Sequence, residues 1–273
     1  MAARTHKRPI AAHTAPSRRS SRQPTGPGRG AGTPQSLESI ERDIVRCEKC
    51  PRLRRYCQEI ARIKRRAYRD QDYWGRPVPG FGDARARVWI VGLAPGAHGA
   101  NRTGRIFTGD SSGDWLYRAL HAAGFARIPT STARDDGQKL DHAYISAAGR
   151  CAPPGNKPEA TELDRCAEFL RREFAALDRV QVVVPLGKIA FDAVLRLLAA
   201  AGYAIPKPRP QFAHRGRFVL KAATGGSRRP LVILPSYHPS RQNTQTGRLT
   251  RPMFDGVFAD ARALLGCPSH RPR

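Results

Sequence analysis

The stretch Val88–Gly113, VWIVGLAPGAHGANRTGRIFTGDSSG, decides how the rest of the chain is read. Val88, Trp89, Ile90 and Val91 form an apolar run of the kind that fills a strand covered on both faces. Gly92, Gly96, Gly99 and Gly104 then leave the backbone bare where that strand gives way to a turn. Bare backbone lets N–H groups approach a ligand closely. An aromatic, Phe107, and a carboxylate, Asp110, follow, and Ser111, Ser112 and Gly113 lead into the helical run of Trp115, Leu116 and Leu120. Asp110 can be read as a cap on that helix or as a group at a site.

Strands and helices alternate downstream. A helix over 113–123 and a polar loop over 127–141 precede a strand at 143–147. Cys151 and Pro153-Pro154-Gly155-Asn156 lie in the next loop, before a helix over 159–177. A strand at 180–184 feeds a helix over 189–201. Residues 205–230 read as an irregular excursion with a short hairpin. A strand at 231–234 delivers Ser236-Tyr237-His238-Pro239-Ser240, and a last helix covers 251–265. Four buried strands separated by helices predict a parallel sheet covered on both faces. Ligands in such folds bind at the carboxyl ends of the strands, which here are the loops 92–113, 148–156 and 235–248.

Upstream, residues 1–35 mix Pro, Gly, Ser and Arg without apolar periodicity and predict a disordered basic tail. Order is expected from Ser36, a candidate cap for a helix with Leu37, Ile40 and Ile44 on one face. Cys47-Glu-Lys-Cys50-Pro51 then opens a basic helix, and residues 70–87 read as an ordered loop. The main domain is expected over 36–267, with a short basic tail at 268–273.

The chain has 48 Lys and Arg against 22 acids, a net charge of +26 and a pI near 11.2. Residues 1–35 hold seven of those bases and no acid, so most of the excess belongs to the remainder. Charge of this size points to a polyanion, because neutralising phosphates releases counterions. No apolar run approaches the roughly 20 residues of a membrane span, and no secretory core is evident at the start. A membrane partner is therefore not expected, and a cytoplasmic location is, with the nucleoid reached through DNA.

The six cysteines are Cys47, Cys50, Cys57, Cys151, Cys166 and Cys267. Cys47 and Cys50 form C-x2-C, in which two thiolates can face one metal. Cys151 and Cys166 could complete a four-thiolate site, and spacing does not separate zinc from an iron–sulfur cluster. Cys57 and Cys267 have no partner in this pattern. His238, followed by Pro239 at a strand end, reads as a site residue rather than a core one. Arg241, Gln242, Asn243 and Thr244 suit phosphates and base edges. Asn156 can be a turn residue, or an amide that reads a base edge through one donor and one acceptor.

Together these motifs resemble the uracil-DNA glycosylase superfamily, in its iron–sulfur branch and closest to family 5. The resemblance runs from Cys47 to Leu265 and rests on C-x2-C, GLAPGAHGANRTGRIFTGD, RCAPPGNKP, Cys166 and SYHPSRQNTQTGRLT. Family 4 carries an acidic pair after the APG, where this chain has Ala97-His98-Gly99-Ala100-Asn101. The resemblance implies a three-layer α/β/α fold with a central four-stranded parallel sheet. It also implies a structural [4Fe–4S] cluster on Cys47, Cys50, Cys151 and Cys166. The substrate would be DNA containing uracil or other deaminated bases such as hypoxanthine, acted on by a monomer. On these positions Asp110 would stabilise charge at the sugar, His238 would serve the leaving base, and Asn156 would orient base or water. Phe107 would stack on a flipped base, with backbone N–H groups of Gly92, Leu93 and Ala94 at its edge. The alternatives kept open are a strictly uracil-specific enzyme of the family 4 kind, a nucleotide or phosphoester hydrolase using the same loops, and a zinc-stapled nucleic-acid-binding module without catalysis.

Overall fold

The computed structural model describes residues 1–2, 35–223 and 229–266. The basic tails expected at either end, and Cys267, lie outside these apart from Met1, Ala2 and Gln35. The described residues from Gln35 onward belong to one compact unit. It begins with α1 (Leu37–Val45), whose first turn is capped by the Ser36 hydroxyl at 3.3 Å from the Ser39 N–H. Cys50 ends the link to α2 (Pro51–Ile63), where Pro51 occupies the first turn, a position that has no use for an N–H. A short 3-10 turn, Arg66–Tyr68, leads through the ordered loop to β1 (Phe81–Gly82) and β2 (Val88–Gly92). The glycine-rich stretch contains α3 (Ala100–Thr103), and α4 (Ser111–Ala122) follows it. Next come β3 (Ala143–Ala147), α5 (Ala160–Ala176), β4 (Val182–Pro185) and α6 (Lys188–Ala200). The chain finishes with β5 (Phe218–Leu220), β6 (Leu231–Ile233), α7 (Arg241–Gln245) and α8 (Arg251–Leu264).

Among the described residues the sheet has six strands in the order β1-β3-β2-β4-β6-β5, not the four expected. Its inner four are parallel, as anticipated. Two short antiparallel strands, β1 against β3 and β5 against β6, close the edges. At two and three residues they are too short to show a period in sequence. They matter because edge strands present unpaired backbone groups, and short ones leave few.

Alternation along β2 shows how one strand organises both layers. Val88 and Ile90 face a core with Leu116, Tyr117 and Leu120 of α4 and Phe254, Val257 and Phe258 of α8. Trp89 and Val91 face the opposite core with Leu170 and Phe174 of α5 and Val194 and Leu198 of α6. Helices thus cover both sides of the sheet, the three-layer arrangement expected. Trp89 stacks on Phe174 at 5.5 Å and donates its indole N–H to Ser146 at 2.8 Å, so a large buried ring has its polar atom satisfied. On the outer side of α5, Ile40 and Ile44 of α1 pack against Phe169. That contact brings the first cysteine segment alongside Cys166.

Candidate active site

Three loops leave the carboxyl ends of β2, β3 and β6. The first is built around one carboxylate. Asp110 caps α4, its Oδ1 accepting N–H groups from Ser112 at 3.1 Å and Gly113 at 3.0 Å. Its Oδ2 has no hydrogen-bond partner among the described residues and lies against the glycines: a side chain at Gly99 would meet it at 1.9 Å and one at Gly96 at 2.7 Å. The cap and the site are therefore two oxygens of one group. Burial pushes the Asp110 carboxyl above its ordinary range, opposed by the Gly113 and Ser112 amides. Asp114 raises it further and Arg102 lowers it.

Phe107 takes φ +52°, a left-handed conformation costly for a bulky residue. Its ring lies over the end of β2, where any side chain at Gly92 would meet it at 2.6 Å. The His238 ring sits 5.8 Å away, tilted by 33°. Burial alone lowers His238 to about 4, so its imidazole is neutral near pH 7. Asn243 donates to the His238 carbonyl at 2.8 Å. Asp110, Phe107 and His238 thus come from two loops, with the two rings in contact above β2.

The other predicted residues are placed as follows. Gly92 and Leu93 bond through their carbonyls to the Ala148 and Gly149 N–H groups, at 3.0 and 2.8 Å, which ties the first loop to the second. Ala94 lies beside Gly149. Asn156 ends a 3-10 turn, Pro154–Asn156, with φ +57° and an exposed side chain. Its backbone is that of a turn, with the amide left to solvent. Residues 241–245, expected as loop, form α7 with Ser240 as cap. Arg241 and Gln242 are exposed there, and Arg241 Nε reaches Ser111 Oγ at 3.4 Å. Asn243 and Thr244 are half-buried and bond to local backbone.

The four cysteines come from three segments: the α1–α2 link, the loop after β3 and α5. Cys50, Cys151 and Cys166 are buried and Cys47 is half-buried. Cys50 and Cys47 lie near enough to Cys166, and Cys166 to Cys151, for a thiolate at one to hinder ionisation of the next. Burial pushes Cys166 up to about 11, so taking up a metal there means displacing a proton. Among the described residues, no three cysteine sulfurs lie within 4.8 Å of one another. Cys57, without a partner in the sequence pattern, is wholly buried beside Cys151 and donates its thiol to the Ala152 carbonyl at 3.6 Å. Asp83, Asp141 and His142 also approach one another at the amino end of β3, but both Asp83 oxygens already accept backbone N–H groups. A cleft of about 830 Å³ beside α1 and α2 is lined by Arg42, Arg54, Trp74 and Arg134 and by none of the Asp110 site residues.

Sequence reasoning passed over Arg102 and Arg105, both buried. Arg105 holds Thr108, next to Phe107, at 3.1 Å and pairs with Asp136 at 2.5 Å. The signal available was NRTGR inside a glycine-rich loop, where a basic residue has no amphipathic face to occupy.

A carboxylate cradled by glycines and two rings in contact, Phe107 and His238, stand at the carboxyl ends of the parallel strands of an α/β/α protein. The model of the uracil DNA glycosylase superfamily matches residues 79–262. A type-5 uracil-DNA glycosylase of Mycobacterium bovis is 46% identical over 238 residues, covering 87% of this chain and 84% of that protein. One from Thermus thermophilus is 47% identical over 229 residues, covering 84% and 98%. A type-4 uracil-DNA glycosylase of Archaeoglobus fulgidus is 29% identical over 164 residues, covering 60% and 65%. The chain belongs to the uracil-DNA glycosylase superfamily, and sides with its type-5 members.

Proposed function

We propose that the chain removes uracil from DNA by hydrolysing the N-glycosidic bond, with Asp110, His238 and Phe107 as the working side chains. The observation that carries this reading is the divided Asp110 carboxylate, with Oδ1 spent on α4 and Oδ2 free in the Gly96–Gly99 cradle. A base inside a duplex is out of reach, so the nucleotide is first extruded. The exposed Arg241 and Gln242 hold the strand, and Phe107 takes the face of the flipped base. The bond from C1′ to the base nitrogen then breaks, its electron pair leaving with the base. Oδ2 stabilises the positive charge left on the sugar and accepts a proton from the water whose oxygen bonds to C1′. The neutral His238 imidazole donates a hydrogen bond to the base oxygen as negative charge develops there. The exposed Asn156 amide orients the base or the water.

Cys47, Cys50, Cys151 and Cys166 would hold a [4Fe–4S] cluster, supported by the all-sulfur donor set of three buried thiols and one half-buried one. When bound, such a cluster supplies no step of the hydrolysis; it pins α1, α2, α5 and the loop after β3 together. The catalytic domain spans 36–267 between basic tails, and the enzyme works as a cytoplasmic monomer drawn to the nucleoid by DNA. A pocket built on ring stacking and backbone edges discriminates weakly, since every base has a π-face. Hypoxanthine is therefore a second substrate.

The test uses duplexes bearing uracil, hypoxanthine or thymine, followed by alkali to cut abasic sites. Asp110→Asn keeps an oxygen for the helix cap but loses the charge. It should leave stability nearly unchanged and slow uracil release by roughly 10²–10³-fold. Wild-type rates in that variant would remove the mechanism. Strict uracil specificity would favour a family 4 kind of pocket, and absence of cleavage by the unaltered protein would favour a binding module.

A further inference from the structure

Arg102 lies within α3, in the loop that wraps Asp110, and is 8% exposed. Its Nε donates to the His98 carbonyl and its Nη2 to the Gly109 carbonyl, each at 2.8 Å. Nη1 donates to Gln71 Oε1 at 2.5 Å, and the guanidinium lies 4.0 Å from the centre of the Tyr68 ring. Gly109 immediately precedes Asp110 and adopts φ +80°; a side chain there would meet Nη2 at 2.4 Å. His98 immediately precedes Gly99, the residue closest to Oδ2. One planar fork therefore grips the loop on both sides of the carboxylate and rests on the segment that follows α2. An ammonium cannot bridge these carbonyls in the same way.

The electrostatics point the same way. Arg105, the neighbouring buried guanidinium, has Asp136 as its counter-ion. Arg102 pairs with no carboxylate among the described residues. A buried cation without a counter-ion is costly, and the carboxylate that feels this one is Asp110. The other charged groups around Asp110 are Asp114 on α4 and Arg241 on α7, which reaches Ser111. Neither holds the loop.

We propose that Arg102 is a positioning residue for glycosidic cleavage, fixing the Asp110 carboxylate through the His98 and Gly109 carbonyls. This rests on the glycosylase reading above. The experiment measures single-turnover release of uracil from pH 4 to 9 for Arg102→Gln and Arg102→Lys. Affinity is measured for a duplex carrying a 2′-fluorinated deoxyuridine that resists cleavage. Arg102→Gln should lower the rate roughly 10–100-fold with unchanged affinity, and move the acid limb of the profile to higher pH. Arg102→Lys keeps the charge, so its acid limb should stay in place while its rate falls. Should Arg102→Gln fail to fold, the Lys variant decides: a wild-type rate in it overturns the proposal. An unmoved acid limb in Arg102→Gln, or a rate loss explained by lost affinity, also overturns it. An Asp110→Asn protein as active as wild type would instead defeat the underlying reading, independently of Arg102.

Discussion

At the scale of single residues, the site rests on two groups whose protonation is set by burial. His238 falls from 6.5 to about 4, so the folded protein keeps it neutral while the unfolded chain takes up a proton below about 6.5. Its contribution to stability is complete above that pH and is lost as the pH falls from there towards 4. The cleavage rate should accordingly show no inflection near 6.5, and its acid limb should belong to Asp110, displaced above the ordinary carboxylate range. A single-turnover pH profile checks both statements, and a limb near 6.5 that disappears in His238→Ala would contradict the neutral imidazole. Asp110 was legible in the sequence as a cap or a site residue. The cap is formed by Oδ1, and the carboxylate's second oxygen, placed against Gly96 and Gly99, is the one proposed for the site.

At the scale of elements, the stretch from β2 to α4 works as one device. The strand delivers Gly92 under the Phe107 ring, the glycines make room for Oδ2, and α4 orients Oδ1. Gly99→Ala would place a methyl group at 1.9 Å from Oδ2. It should lower cleavage by about 10²-fold and destabilise the fold by only about 1–3 kcal/mol. Thermal unfolding and single-turnover rates measured together test this, and a rate loss no larger than the stability loss accounts for would disprove the cradle. The cysteine elements make a separate prediction. Purified protein should be brown, with about four iron and four sulfide per chain, and Cys47→Ala should lose both colour and stability. Colourless protein with stoichiometric zinc would refute the cluster.

At the scale of the whole molecule, the net charge of +26 should make DNA affinity steeply dependent on salt. Deleting residues 1–35, which carry seven bases and no acid, should flatten the log–log slope by at most about 0.9 per lost phosphate contact. Uracil release at saturating enzyme should barely change. A collapse of that rate would show the tail taking part in the chemistry. Among the described residues no helix is long and apolar enough to cross a membrane.

Local information in the chain sufficed for the parallel inner sheet and the covering helices, and it marked Asp110, Phe107 and His238 as candidates. Apolar runs, glycine clusters and caps act over a few residues and leave their mark in sequence. The two edge strands escaped because a strand of two or three residues has no period; pairing alone defines it. The turn of chain at 241–245 became a helix because Ser240 caps it and Asn243 is engaged by the His238 carbonyl. Cys57 meeting Cys151, and Arg102 gripping the carbonyls of His98 and Gly109, depend on where separate segments cross. Such contacts cost chain entropy to form and are specified by packing across the whole fold, which is why only the tertiary structure could decide them.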